Sequence, residues 1–419
     1  MEISFHKNNL TGNVDLPTSK SLSNRYLILK ALSNSEVDIQ NLSTANDTVL
    51  LNNILNSSKK EQLIDCQDAG TCFRFLLAYF AIQEHEEKIL TGTNRLKERP
   101  IADLVNALRS LGAEIIYLDK EHFAPIKIIG KKIDGGKVKI NGSISSQFIS
   151  ALCLIAPKMK NGLRIEIDGE ISSTSYILQT LNCLKEVGIK NTFKKNCIEI
   201  KPQHINFSTS INIEKDWSSA CFFYCILLLS QKNKTIETQG LHFQNLKLNT
   251  LQGDEAIVSL CKNLNVETFE KENELVICHK NMYRNFPEKE TYNLLNAPDL
   301  SIPFIVAASM LHREVSFLGL KSLVLKESNR IEALKEILIE IGIEPLWEND
   351  ELVCKQKNEN VDFSKTIKIN THNDHRIAMA GSLLAVLGFH IILSESKSVA
   401  KSFPSFWKEM EELGFEIKY

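Results

Sequence analysis

The sequence predicts an α/β protein of two domains, each made of three copies of one unit, with helices inside and sheets outside. Three observations carry this reading. The chain has 419 residues, more than one hydrophobic core usually holds. A spacing of 72 to 80 residues recurs along most of it. Helix patterns that are apolar on most faces stand beside strand patterns that alternate, as expected of buried helices and of sheets with one face in water.

Each element follows from these patterns in order. Amphipathic helix patterns end on a residue suited to a left-handed stop: Gly112, Gly188, Asn265, Gly342 and Gly414, at intervals of 76, 77, 77 and 72 residues. A second series, nearly all apolar, opens near Lys20, Gly70, Ser146, Ser218, Pro298 and Asp374, at intervals of 50, 76, 72, 80 and 76. The chain thus reads as six units with the first shortened, each holding one buried and one exposed helix. Lys137–Ile140, Leu163–Ile167 and Thr366–Ile369 alternate and belong to the outer sheets. Six units divide most simply into two domains of three, with the second beginning near 214–218. The strand before Lys20 suits either. Assigned to the second domain, it gives one domain of 20–214 and a discontinuous one of 1–19 with 215–419.

Composition narrows the function. Forty-nine basic and 51 acidic residues leave a formal charge of −2, so no electrostatic footprint for nucleic acid or an anionic membrane exists and any anion site is local. Ten cysteines without a CxxC pair or metal-type spacing point to reduced, buried thiols. Met1–His6 lacks a charged-then-apolar signal pattern, and the apolar run 220–229 is too short for a bilayer. The expectation is a cytoplasmic protein.

The starts of the apolar helices hold an unusual share of reactive side chains. They include Lys20, Ser21 and Arg25; Asp68, Gly70 and Arg74; Ser145, Ser146 and Gln147; Asp216 and Ser218; Asp299; and Asp374, His375 and Arg376. Helix starts expose amides and a positive dipole end, so six such ends converging between domains would form a cleft for anionic substrates. A single such start reads equally well as an ordinary capped helix. Lys97-Glu98-Arg99 and Lys326-Glu327-Ser328-Asn329-Arg330 each set a carboxylate among cations. That is either a solvated, self-paired cluster or a tuned general acid or base. Arg376 beside His375 argues against a divalent cation there, and Cys72 has no base at a telling spacing.

With these residues in place, the chain resembles the EPSP synthases, which transfer the enolpyruvyl group of phosphoenolpyruvate to shikimate 3-phosphate. Lys20-Ser21-Leu22-Ser23-Asn24-Arg25, Asp68-Ala69-Gly70-Thr71-Cys72-Phe73-Arg74, Lys97-Glu98-Arg99-Pro100, Ser145-Ser146-Gln147-Phe148, Lys326-Glu327-Ser328-Asn329-Arg330, Asn373-Asp374-His375-Arg376 and Ala400-Lys401-Ser402-Phe403-Pro404 match that family's motifs in order. The resemblance implies two inside-out α/β domains of three βαβαββ-like repeats, with the active site in the cleft between them.

It also implies that Lys20, Ser21, Arg25, Ser145, Ser146, Gln147, Ser173, Tyr176, Asp299, Ser322 and Lys326 bind shikimate 3-phosphate. Lys20, Gly70, Arg74, Arg99, Gln147, Arg330, Arg376 and Lys401 would bind phosphoenolpyruvate. Asp299, Glu327 and Lys20 would be catalytic, with no metal and no organic cofactor, in a monomer whose domains close on ligand. The sequence departs from the family at Asp68, usually Asn; at Cys72, Phe73 and Phe75, usually Ala, Met and Pro; at Ser322, often Asn; and at Asn329, more often Asp. Two alternatives remain open at this level: an enolpyruvyl transferase acting on UDP-N-acetylglucosamine, and an inactive paralogue that binds a phosphorylated metabolite.

Overall fold

The computed structural model describes residues 1–33, 36–57, 61–280, 286–357 and 361–419. Its chain forms two compact units, one of Met1–Pro17 with Glu214–Tyr419 and one of Thr18–Ile213. The chain therefore begins in the first, leaves it for about two hundred residues, and returns.

One sheet topology recurs five times. In the Thr18–Ile213 unit, strand Leu63–Asp65 lies parallel to Glu87–Thr91, which is antiparallel to Ile126–Ile129, itself antiparallel to Glu114–Tyr117. The same order holds for Gly136–Asn141, Leu163–Asp168, Cys197–Ile200 and Asn191–Lys194. The shortened first repeat has only Ile39–Gln40 paired in parallel with Ile211–Asn212. Its missing hairpin accounts for the 50-residue interval.

The other unit has three four-stranded sheets, and two of them borrow from the N-terminus. Lys289–Asn293, Glu314–Leu318, Glu351–Gln356 and Ile343–Glu348 form a sheet from one stretch of chain. Asn9–Val14 supplies the first, parallel strand beside Glu237–Gln244, followed by Glu274–His279 and Val266–Lys271. Glu2–Phe5 supplies the third strand of the last sheet, between His390–Leu393 and Phe415–Lys418, with Thr366–Ile369 at the far edge. Burial alternates along these strands, with Ile367 and Ile369 buried and Thr366 and Lys368 exposed, so each sheet turns one face inward.

The inward faces meet the apolar helices. These begin at Lys20, Gly70, Ser146, Trp217, Ser301 and His375, within three residues of the positions expected from the spacing. Asp216 and Asp374 are caps rather than first residues: each carboxylate accepts a first-turn amide, from Ser219 and Arg376 respectively. The largest offset, at Ser301, arises because 297–300 forms a turn, with Leu300 N bonded to Ala297 O; Pro303 is tolerated in the first helical turn. Trp217–Ser230 and Ser301–Leu311 are buried along their whole lengths. Phe223 packs against Phe243, Phe403 and Phe406 at ring separations of 6.0 to 6.3 Å.

The five expected stops, Gly112, Gly188, Asn265, Gly342 and Gly414, all have φ between 66° and 104°. Among the described residues no helix is long and apolar enough to cross a membrane.

Candidate active site

In the Thr18–Ile213 unit, three helix starts are tied together by side chains. Lys20 Nζ lies 3.5 Å from Asp47 Oδ2, and the Asp47 carbonyl accepts the Cys72 thiol at 2.9 Å. Gln147 donates to Thr71 Oγ1 at 3.2 Å and accepts from Arg74 at 3.0 Å. Arg25 is buried and bonded to Thr180 Oγ1, Ser21 O and Tyr176 O. Ser145 caps the Ser146–Ile155 helix through the Gln147 amide, and Ser173, with φ 58°, stands before the Thr174–Glu186 helix. Every residue expected from this half except Arg99 is thus placed on or against a helix start. Arg99 arrives from the turn after Asn94–Lys97.

Gly70 is where the two arginines converge. A Cβ there would collide with the guanidinium ends of both Arg99 and Arg74, so a side chain at this position would push them from the places they now occupy. Burial first, and then Arg99, push the Arg74 guanidinium well below its ordinary range. Two buried, mutually repelling cations at a helix start form a strong anion site.

In the other unit the cations already have carboxylates. Arg376 bonds Asp299 through NH2 to Oδ2 at 3.0 Å and NH1 to the main-chain O at 2.6 Å, while Lys326 lies 4.0 Å from Asp299 Oδ1. Arg330, buried, takes Asp374 with two bonds of 2.7 and 3.0 Å, and Ser328 adds a third to that carboxylate at 3.1 Å. Glu327 is held by His375 Nδ1 at 2.7 Å and Lys401 Nζ at 3.1 Å, with Arg330 at 3.8 Å.

Burial by itself would raise the Glu327 carboxyl; His375, Lys401 and Arg330 outweigh it and hold the group well below the usual range. Burial likewise opposes the charge on Asp374, and Arg330 outweighs it. Ser322 lies half-buried on the Lys321–Leu325 turn that leads to Lys326.

The two carboxylate-cation clusters of the sequence part company here. Glu98 is exposed and pairs with Arg95 at 2.8 Å, the solvated reading, whereas Glu327 is largely enclosed. Asp68 is not paired through Arg74; its carboxylate accepts the Thr93 hydroxyl. Glu327, Asp374 and His375 offer ligand atoms within 4.8 Å of one another, a possible metal trio. Arg330 and Lys401 already sit on Asp374 and Glu327, and a divalent ion would face both cations.

Sequence reasoning missed Asp47 as the partner of Lys20 and Asp374 as the partner of Arg330. At the Trp217 helix start Asp216 is the cap and Ser218 bonds Asp254.

One unit thus sets cations at buried helix starts, and the other holds ionised carboxylates among cations, side chains of the kind that bind anions and move protons. Comparison with known proteins gives the class. The family model for EPSP synthase (3-phosphoshikimate 1-carboxyvinyltransferase) matches residues 6–57 and 51–410. A 3-phosphoshikimate 1-carboxyvinyltransferase of Bacteroides fragilis is 36% identical over 97% of this chain and 96% of its own; one from Colwellia psychrerythraea is 30% identical over 96% and 97%. The structure of an Acinetobacter baumannii EPSP synthase superposes over the whole of both chains with a TM-score of 0.75 at 20% identity. The enolpyruvyl transferase NikO of Streptomyces tendae gives 0.74 at 12%, over 100% and 98%. At such identities the two structures establish a shared fold. The chain belongs to the EPSP synthase family.

Proposed function

We propose that shikimate 3-phosphate and phosphoenolpyruvate bind in a cleft between two inside-out domains of 20–214 and 1–19 with 215–419. The activity is that of the family: as a 3-phosphoshikimate 1-carboxyvinyltransferase of the shikimate pathway, the chain transfers the enolpyruvyl group to the 5-hydroxyl and releases phosphate. The observation that carries the assignment of residues is the pairing of opposites: Arg74 and Arg99 crowd one helix start, while Glu327 is kept ionised between His375 and Lys401.

In this reading Lys20, Ser21, Arg25, Ser145, Ser146, Gln147, Ser173, Tyr176, Asp299, Ser322 and Lys326 hold shikimate 3-phosphate. Lys20, Gly70, Arg74, Arg99, Gln147, Arg330, Arg376 and Lys401 hold phosphoenolpyruvate. A proton adds to the phosphoenolpyruvate methylene, the 5-hydroxyl oxygen bonds to the resulting cationic carbon, and Asp299 takes the hydroxyl proton. The carbon–oxygen bond to phosphate then breaks as the methyl group gives up a proton.

Glu327 handles the methylene proton, and Lys20 stabilises the departing phosphate. Because Lys401 and Arg330 hold Glu327 as an anion, it becomes an acid only once the substrate's carboxylate and phosphate draw those cations away. Ligand binding and proton delivery are thereby coupled. The chemistry calls for no metal or organic cofactor, and the protein works as a cytoplasmic monomer.

Phosphate release, measured with phosphoenolpyruvate and either acceptor, tests this. Release with shikimate 3-phosphate and none with UDP-N-acetylglucosamine is expected; the reverse would overturn it. Domain closure on ligand is read from the radius of gyration by solution scattering, which falls when both ligands are present.

A further inference from the structure

Asp47 meets Lys20 from the first turn of the Asn46–Ser57 helix, and buried polar groups that take no part in the reaction hold that turn from two sides. From the Lys20–Ser33 helix, Ser23 Oγ accepts the Ser43 amide at 3.0 Å and Asn24 Oδ1 accepts the Thr48 hydroxyl at 2.9 Å. From the Gly70–Ala81 helix, the Cys72 thiol donates to the Asp47 carbonyl at 2.9 Å. Ser23, Asn24, Thr48 and Cys72 are each at most 1% exposed. Valine at 48 and alanine at 72 would fill much the same space but leave the Asn24 oxygen and the Asp47 carbonyl without these donors, so the hydroxyl and the thiol supply direction that burial alone does not.

Direction matters because Lys20 has a long, flexible stem. The elements packed on its helix are Asn46–Ser57, Gly70–Ala81, Ser146–Ile155 and Thr174–Glu186. Glu186 is taken by Tyr26, and among the described residues Asp47 is the carboxylate within ion-pair reach of the Lys20 ammonium. We infer that Asn24, Thr48 and Cys72 form a clamp that positions Asp47 against Lys20 and so fixes Lys20 relative to the Gly70 helix start. They are positioning residues for the transfer reaction. The inference rests on the proposed role of Lys20 and adds that the two helix starts are registered through the Ser43–Thr48 turn.

Misplacing a catalytic group by about an ångström costs on the order of 10²-fold, so loosening the clamp lowers kcat without emptying the site. Steady-state kinetics on the full chain test this. Thr48→Val and Cys72→Ala each lower kcat by about 3- to 10-fold, with KM for both substrates within about twofold, whereas Thr48→Ser and Cys72→Ser keep kcat near the parent. In an Asp47→Asn background the same two losses vanish, because the clamp acts through that carboxylate.

Losses of full size in that background overturn the clamp, as does a kcat that follows melting temperature instead of the donor group. If Asp47→Asn does not fold, the valine-against-serine and alanine-against-serine pairs decide alone. Lys20→Met separates the two readings. Activity retained there overturns the role of Lys20 and the clamp together. Activity lost there, with Thr48→Val and Cys72→Ala at parental kcat, overturns the clamp alone.

Discussion

Arg74 and Arg330 are both buried, yet the two are in opposite electrical states. Arg74 has the neutral Gln147 oxygen as a bonded partner and Arg99 beside it, so burial and repulsion weaken its hold on its proton. Arg330 is gripped by both oxygens of Asp374, with Glu327 nearby; these outweigh burial and strengthen that hold. Under the proposed roles, one half of the molecule is thus prepared to receive negative charge, and the other, already neutralised internally, exchanges partners for those of a ligand. Preorganisation and exchange are different ways to bind the same kind of anion.

The widest break in this comparison is at Glu327. Glu327→Gln should lower kcat by about 10²- to 10⁴-fold while calorimetry finds shikimate 3-phosphate still bound with near-parental affinity. Next, one substitution made in both halves should act with opposite signs on stability. Arg330→Met leaves Asp374 buried without its main partner and should cost about 3–5 kcal/mol, a fall of about 10 °C in melting temperature by calorimetry. Arg74→Met removes a repelled cation, so the melting temperature should hold or rise, while the KM for phosphoenolpyruvate climbs about 100-fold. A fall of Tm in both would erase the contrast.

Acid should separate the halves as well. Burial pushes His279 and His312, both in the Glu214–Tyr419 stretch, below their ordinary range. Their folded pKa values lie under the unfolded 6.5, so the stability they give is complete above that pH and is lost as pH falls below it. Glu327 and Asp374, also depressed, add to the loss at still lower pH. Melting temperature should therefore decline from pH 7 to pH 5, and His312→Gln should flatten that decline. The smallest effect is expected at Asp68, an exposed carboxylate held by Thr93: Asp68→Asn should lower the KM for phosphoenolpyruvate by about twofold, and less at high salt.

Much of this was legible in the sequence because it is local. The apolar helices announce their own starts, and a left-handed stop needs Gly or Asn whatever lies around it. The cations of the site were legible through motifs. Their partners were not. Asn46-Asp47-Thr48 reads as an ordinary helix start, and nothing near it in sequence says that Lys20, 27 residues earlier, completes it.

Asp374 reads as a cap, which it is; its grip on Arg330 across 44 residues is a tertiary fact. Glu98 and Glu327 look alike in sequence because exposure, which separates them, is set by packing. The period shows the last repeat through Asp374 and Gly414, but not that Glu2–Phe5 is its third strand, because a strand supplied from the other end of the chain lies outside the repeat's own spacing.

That borrowed strand sets the order of assembly during synthesis. The Thr18–Ile213 unit has every strand it needs once residue 213 has been made. Glu2–Phe5 waits for His390–Leu393 and Phe415–Lys418, roughly 400 residues later, or about 20 to 80 s at ordinary ribosomal speeds. For that time Ile3 and Phe5, buried in the finished protein, belong to a strand without a sheet, whereas Leu10 and Val14 gain their neighbour once Glu237–Gln244 has been made. Glu2–Phe5 is thus made well before the strands that flank it and is among the last to be housed.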